Sequence, residues 1–321
     1  MAAGVWQLSG QDRRCVRAAV LGSPIGHSLS PVLHRAAYAE LGLTWWRYEP
    51  IECDEARLPG LLDSCGPDWA GLSLTMPLKR TVLPLLDRID PLAARVGCAN
   101  TVVFAAAQRL GYNTDVPGMI GALAERGIPG ARGSAVAPVL IIGGGATACA
   151  ALGALAELGE KSVKVAVRDP AKAIDLQRAA GRLGVSVALA PFAPASLRDA
   201  HLVISTVPAG ASDIFTANFA SHASANPVVL DVVYDPWPTP LASAATLAGA
   251  VVVSGFDLLL HQAARQVELM TDRPAPLEVM RQAGLAALSS ASLPPRYGTT
   301  SSPHQTGESS EGGARDMTRR Q

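Results

Sequence analysis

Apolar residues along this chain fall in short runs rich in branched side chains, punctuated by glycine, proline and serine. Residues 18–21 form one such run ending at Gly22, and further strands are predicted at 45–51 and 72–74. Between the first two, Ser30-Pro31 predicts a helix start, with Ser30 as N-cap and Pro31 at the first helical position, and Gly42 as the stop. Another helix is predicted to open at Pro77, and residues 101–104 and 109–112 read as a hairpin. From residue 139 the rhythm becomes strand, glycine turn, helix, strand: 139–142, a helix over 148–158, then 163–167. Further strands are predicted at 201–205, 228–232 and 251–253. Short apolar strands alternating with helical stretches predict an α/β fold with a parallel sheet buried on both faces. A long helix is predicted from Gly255 through Met270. Residues up to 17 read as a loose lead-in. The segment 292–321 is Ser, Pro, Gly, Thr and charge, too poor in apolar surface to order itself, and is predicted to be a disordered tail.

With 321 residues, 49% of them apolar, the chain can bury two cores. Its 27 bases balance 27 acids, which argues against nucleic-acid and anionic-membrane partners, since both normally leave a basic signature. The longest apolar run, 139–158, contains three consecutive glycines and reads as a buried strand plus a buried helix, not a membrane span. The five cysteines are scattered without a CxxC, and the histidines lack metal-ligand spacing. Reduced thiols, no metal and a cytoplasmic location are the expectation. No basic segment leads into an apolar stretch at the N-terminus, so no signal peptide is expected.

The chemistry follows from where these elements place polar residues. Gly143-Gly144-Gly145-Ala146-Thr147-Ala148 fits G-x-G-x-x-A directly after a strand and at the opening of a helix. Glycines there permit a tight turn and close backbone approach to a pyrophosphate, and the helix N-terminus offers free N–H groups. The end of the next strand selects the cofactor. Arg168 and Lys172 suit the 2′-phosphate of NADP, whereas Asp169 suits the free ribose hydroxyl of NAD. In the first half, Ser28 and Ser30 beside a helix N-terminus suit a small carboxylate. Thr75 stands at a strand end, and Lys79 falls in the first turn of the following helix, where a cation faces the positive end of the helix dipole. Asn100 and Asp115 sit in polar loops flanking the hairpin. Asn100 can donate and accept towards hydroxyls; Asp115 can accept from a hydroxyl and pair with an ammonium. Each taken alone is an ordinary turn residue.

Taken in order, the segments GSPIGHSLSPVLH, GLSLTMPLK, GCANT, GYNTD, GGGATA, DVVYDPWPTPL and GFDLLLHQ resemble the shikimate dehydrogenase family, in its actinobacterial type. The resemblance implies two lobes with a cleft between them. An α/β substrate-binding domain spans 18–116 and is completed by C-terminal helices over 256–290; a Rossmann-like NADP-binding domain spans 117–255. It implies NADPH-dependent reduction of 3-dehydroshikimate to shikimate, a step of chorismate and aromatic amino acid biosynthesis, by a monomer or homodimer. Ser28 and Ser30 would bind the carboxylate. Thr75, Asn100, Asp115 and Gln262 would hold the hydroxyls, with Tyr234 lining the site. Lys79 would transfer the proton, with Asp115 beside it. Gly143, Gly144, Gly145, Ala146, Thr147, Arg168, Lys172, Thr206, Pro208, Val232 and Gly255 would hold NADP(H). The chain departs from the family pattern at Ser73-Leu74 (often Asn-Val), Ala146 (often Gly), Asp169 (often Thr) and Leu258 (often Met). Three rival readings share most of these motifs: an NAD-dependent quinate/shikimate dehydrogenase, a non-catalytic cofactor-binding relative, and an enzyme of this fold acting on an altered substrate.

Overall fold

The structure, a computed structural model, describes residues 15–128, 138–217, 219–223 and 227–291. The tail 292–321, most of the lead-in and the side chain of Lys172 lie outside the described residues. The first lobe runs β1 (Val16–Gly22), α1 (Ser30–Glu40), β2 (Trp46–Glu52), α2 (Leu58–Ser64), β3 (Trp69–Leu74), α3 (Leu78–Thr81), β4 (Arg88–Ile89), α4 (Pro91–Val96), β5 (Thr101–Ala105) and β6 (Gln108–Tyr112). After α5 (Asp115–Glu125) the second lobe runs β7 (Val139–Ile142), α6 (Ala146–Glu157), β8 (Ser162–Ala166), α7 (Ile174–Leu183) and β9 (Ser186–Ala190). It continues through β10 (Leu202–Ser205), α8 (Phe219–His222), β11 (Val228–Asp231), α9 (Pro240–Leu247) and β12 (Val251–Val253). Then α10 (Gly255–Thr271) and α11 (Leu277–Ala291) return to the first lobe, where both pack on α1.

The second sheet is parallel throughout, in the order β12-β11-β10-β7-β8-β9. Every residue of β7 and β10 is buried, which is why these strands read as uninterrupted apolar runs. The strand order reverses between β7 and β10. Connections leaving their carboxyl ends diverge there and open a crevice, the usual ligand position in such sheets. The first sheet is mixed, in the order β2-β1-β3-β5-β6-β4. β1 and β3 run parallel, but β5 is antiparallel to both β3 and β6. The end of β3, the start of β5 and the end of β6 therefore share one edge, with Ser73 opposite Thr101 and Thr101 opposite Tyr112. That shared edge assembles the polar site.

Three expectations are corrected. Ser30 is not the N-cap of α1: Leu29 is, without a side-chain cap bond, and Ser30 is the first helical residue. The hydroxyl that meets the helix start belongs to Ser28, whose Oγ accepts from the Ser30 N–H at 3.3 Å. The boundary expected between residues 116 and 117 falls inside α5. That helix cannot be divided, because it packs on α10 on one side and α6 on the other. Its Val116, Met119 and Leu123 share a core with Val139 and Ile141 of β7. The helix after Pro77 is a single turn, so Lys79 faces little summed dipole. Gly42 does close α1, in the left-handed conformation at φ +68°. Among the described residues, no helix is long and apolar enough to cross a membrane.

His34 of α1 is fully buried and stacks on Tyr48 with ring centroids 3.9 Å apart. Its Nδ1 lies 2.9 Å from the Ser30 carbonyl, which can only accept, so Nδ1 carries the proton. Nε2 has no partner among the described residues, and burial lowers the imidazole pKa to about 4. A base with a lowered folded-state pKa contributes stability that is full above its unfolded value and is lost as pH falls from there towards the folded one. The window runs from 6.5 down to about 4, and the loss approaches roughly 3 kcal/mol. The melting temperature is expected to drop across that window, and His34→Gln to drop less steeply; equal slopes would contradict a neutral buried His34.

Candidate active site

A cavity of about 330 Å³ lies between the lobes and takes in all eight residues expected at the substrate, Ser28, Ser30, Thr75, Lys79, Asn100, Asp115, Tyr234 and Gln262. Thr147 and Val232 line it from the cofactor lobe, and Gly255 from the start of α10. Lys79 and Asp115, 36 positions apart in the chain, meet with Nζ and Oδ2 at 2.6 Å. The lysine side chain is 15% exposed and the carboxylate 8%, so the pair is largely shielded yet reachable from the cavity. The backbone fixes both partners. The Lys79 carbonyl accepts from Ala99 N–H at 2.8 Å, tying the single turn of α3 to the strand entry at β5. Asp115 is the first residue of α5, where a carboxylate is favoured by the free N–H groups of the helix start. The Asn113 carboxamide caps that start by accepting from Val116 N–H at 3.1 Å.

Asn100 is the hub. Its Oδ1 accepts from the Thr114 backbone N–H at 2.7 Å. That donor has only one role, so the Nδ2 group must face the other way. There its two hydrogens are shared among three acceptors, Asp115 Oδ1 at 2.8 Å, Thr114 Oγ1 at 2.9 Å and Gln262 Oε1 at 3.2 Å. Asp115 therefore accepts on both oxygens, from Asn100 on one and Lys79 on the other. Tyr234 stands on the connection after β11, with its hydroxyl 3.5 Å from the His27 carbonyl across the cavity mouth. Burial pushes its phenol pKa up, against hydrogen bonding to the backbone at Leu29. Asp231 braces the Tyr234 connection: its carboxylate accepts from Thr239 Oγ1 at 2.7 Å while Thr239 caps α9. Burial raises the Asp231 pKa, and that hydrogen bond pulls against it.

On the cofactor side, Gly143 sits at φ +112°, and a Cβ there would meet Thr206 Oγ1 at 2.5 Å. Thr206 in turn donates to the Ile142 carbonyl at 2.8 Å, so the turn is closed at the switch between β7 and β10. Gly145 is the N-cap of α6 without any side-chain cap, and the space where its Cβ would stand is open. The twelve-residue helix therefore starts with backbone N–H groups facing an uncluttered cradle, which fits a pyrophosphate. Arg168 is exposed, its guanidinium 5.6 Å from the centre of the Phe192 ring. Asp169 is turned to its own backbone, accepting from Ala171 N–H at 3.0 Å. The acid that spoke for NAD is thus occupied as a cap. Gly143, Gly144, Gly145, Ala146, Arg168, Thr206 and Pro208 lie outside the cavity that holds the substrate-side residues.

Sequence reasoning missed Ser73, Thr101, Thr114 and Gln266, all buried and all bonded into the Asn100 network. The signal for Gln266 was available: it lies one helical turn after Gln262 and so on the same face. Phe192 was missed because it lies beyond an edge strand with little apolar pattern. Among the described residues, no cluster of three or more His, Cys, Asp or Glu is placed to hold a metal ion.

A parallel-sheet dinucleotide cradle facing a shielded lysine–carboxylate pair across a cleft defines a two-lobed, nicotinamide-dependent dehydrogenase. The profile for the shikimate dehydrogenase substrate binding domain matches residues 20–102, and that for the shikimate 5'-dehydrogenase C-terminal domain matches 255–283. The shikimate dehydrogenase (NADP(+)) of Halobacterium salinarum is 37% identical over 272 residues, covering 84% of this chain and 98% of that one. The crystal structure of Mycobacterium tuberculosis shikimate dehydrogenase superposes with a TM-score of 0.74 at 43% identity, over 84% of this chain and 99% of that one. The Thermus thermophilus enzyme in complex with NADP(H) and shikimate gives 0.73 at 32% identity, over 85% and 99%. The chain belongs to the shikimate dehydrogenase family.

Proposed function

We propose that this chain is an NADP-dependent shikimate dehydrogenase, reducing 3-dehydroshikimate to shikimate reversibly. The observation that carries the reading is the Lys79–Asp115 pair, at 2.6 Å, set in a cavity between a hydroxyl-lined wall and the cofactor lobe. Ser28 and Ser30 take the carboxylate. Thr75, Asn100, Asp115 and Gln262 hold the ring hydroxyls, and Tyr234 closes over the substrate from the cofactor side. As the C3 carbonyl is reduced, negative charge grows on its oxygen. The Lys79 ammonium stabilises that charge and delivers the proton; in the reverse direction the neutral amine takes it back. Asp115 keeps the ammonium aimed and, through Asn100, is itself kept from rotating. NADP(H), when bound, supplies or accepts the hydride.

Gly143, Gly144, Gly145, Ala146 and Thr147 form the pyrophosphate cradle, and Thr206, Pro208, Val232 and Gly255 border the nicotinamide side. Arg168 and Lys172 take the 2′-phosphate. Cofactor choice rests on Arg168, supported by the Asp169 cap, which turns the competing negative charge away. Arg168→Ala is expected to raise KM for NADP about 10- to 100-fold while changing KM for NAD less than about threefold. Equal loss for both cofactors would remove Arg168 from this role. The five cysteines are all free thiols, which supports a cytoplasmic enzyme. Mixed with 3-dehydroshikimate and NADPH, the chain is expected to consume NADPH and yield shikimate; no consumption would overturn the reading.

A further inference from the structure

Along the cavity wall, which Ser73, Asn100 and Gln266 help to line, a hydrogen-bonded chain runs from the edge of the first sheet to the catalytic pair. The Tyr48 hydroxyl donates to Ser73 Oγ at 2.6 Å, and Ser73 Oγ donates to Gln266 Oε1 at 2.8 Å. Gln266 Nε2 donates to Thr101 Oγ1 at 3.0 Å and to the Asn100 backbone carbonyl at 3.3 Å. Thr101 Oγ1 donates to Asn100 Oδ1 at 3.0 Å, and Asn100 Nδ2 donates to Asp115 Oδ1 at 2.8 Å. Tyr48, Ser73, Gln266, Thr101 and Asn100 are each less than 5% exposed, so water offers these groups few alternatives.

The direction of the chain is fixed at one fixed point. The Asn100 backbone carbonyl can only accept, so the Gln266 group facing it is the NH₂. That NH₂ also meets Thr101 Oγ1, which must then spend its single proton elsewhere, on Asn100 Oδ1. Asn100 Oδ1 then accepts from both Thr101 Oγ1 and the Thr114 backbone N–H, and the carboxamide is held with its NH₂ towards Asp115. Gln266 thus holds Asn100 at its backbone and, through Thr101, at its side chain, although it is four positions beyond the substrate-side Gln262.

We infer that Gln266, braced by Ser73, is a positioning residue for the reaction: it locks the Asn100 carboxamide that orients Asp115 against Lys79. The inference rests on the dehydrogenase reading above. It also gives Ser73 a purpose, because an Asn-for-Ser exchange at that position would have to repack against the same buried glutamine.

Gln266→Met keeps length and burial but removes both polar ends. In that variant kcat for shikimate oxidation is expected to fall at least tenfold, with KM for NADP changed less than about twofold. The melting temperature is also expected to fall, because Ser73 loses its acceptor while buried. Tyr48→Phe and Ser73→Ala combined with Gln266→Met remove that orphaned hydroxyl together with the Tyr48 hydroxyl that donates to it. This triple variant is expected to recover part of the melting temperature without recovering kcat. Recovery of kcat along with stability, or an unchanged kcat in Gln266→Met, would overturn the inference, since a merely structural role would behave so. A crystal structure of Gln266→Met separates this from the reaction itself. The Thr114 N–H still sets which way the Asn100 carboxamide faces there, so a lengthened Asn100–Asp115 contact is expected, even if wild-type protein proved inactive on shikimate; an unchanged contact would refute the positioning role.

Discussion

Lys79→Ala is expected to lower kcat for shikimate oxidation about a thousandfold, with the dissociation constant of shikimate changed less than about tenfold. A proton transferred in the transition state and charge stabilisation at the developing oxyanion together account for a loss of that size, roughly 4 kcal/mol. Binding is expected to survive because, in the proposed binding mode, the carboxylate and the other hydroxyls have their own partners in Ser28, Ser30, Thr75 and Gln262, which line the same cavity. The split matters more than the size. An interaction made mainly in the transition state shows in kcat, whereas uniform binding shows in KM. Turnover near the wild-type rate would remove Lys79 from the mechanism. Steady-state kinetics with shikimate saturating, paired with calorimetric titration of shikimate, measures both quantities.

Asp115→Asn is expected to cost kcat about a hundredfold, although the change is nearly isosteric. Asp115 accepts on both oxygens, 2.8 Å from Asn100 Nδ2 and 2.6 Å from Lys79 Nζ. An asparagine has one accepting oxygen, and its NH₂ would face a donor whichever way it turned. Either the ammonium or the Asn100 carboxamide would be displaced. The geometry that holds the lysine before reaction would then be lost. Asp115→Glu keeps the charge but moves it by a methylene and is expected not to restore the rate. Full activity in Asp115→Asn would show that the carboxylate pair is structural.

Legibility in the sequence followed burial and locality. β7 stands where the apolar run put it, because a parallel strand covered on both faces has no polar positions to confuse the pattern; β12, an edge strand with Val251 exposed, was legible only through its three consecutive valines. β9 was not legible: it is a sheet edge with no buried residue and two alanines, so neither hydrophobicity nor branching marks it. α5 was hidden for another reason. Asp115 reads as a turn residue after Asn113-Thr114, yet it begins a helix whose apolar face joins the two lobes, which is why a boundary read from texture cut through it. Ser30 looked like a cap because Ser-Pro is a start signal; the helix instead begins one residue earlier and leaves that hydroxyl to the cavity.

At the site, each motif was visible but not its partners. Lys79 alone reads as a surface lysine. Only the antiparallel step between β3 and β5 brings it to Asp115, and pairing register is not encoded in either segment alone. Asp169 was ambiguous for a similar reason. Whether an acid at a strand end faces a ribose or caps the following turn depends on a backbone conformation that the residue type does not reveal. Arg80 shows the same limit: its guanidinium reaches Cys149 Sγ at 3.3 Å and Asp175 at 3.3 Å, bridging the lobes beneath the cleft without any motif to announce it.

The most direct test of the account is the appearance of reduced nicotinamide when the full chain meets shikimate or quinate, each with NADP or NAD. Rapid reduction with shikimate and NADP, and much slower reduction in the other three combinations, is the expected result. Faster reduction with quinate and NAD, or no reduction in any combination while NADP still binds, would contradict it.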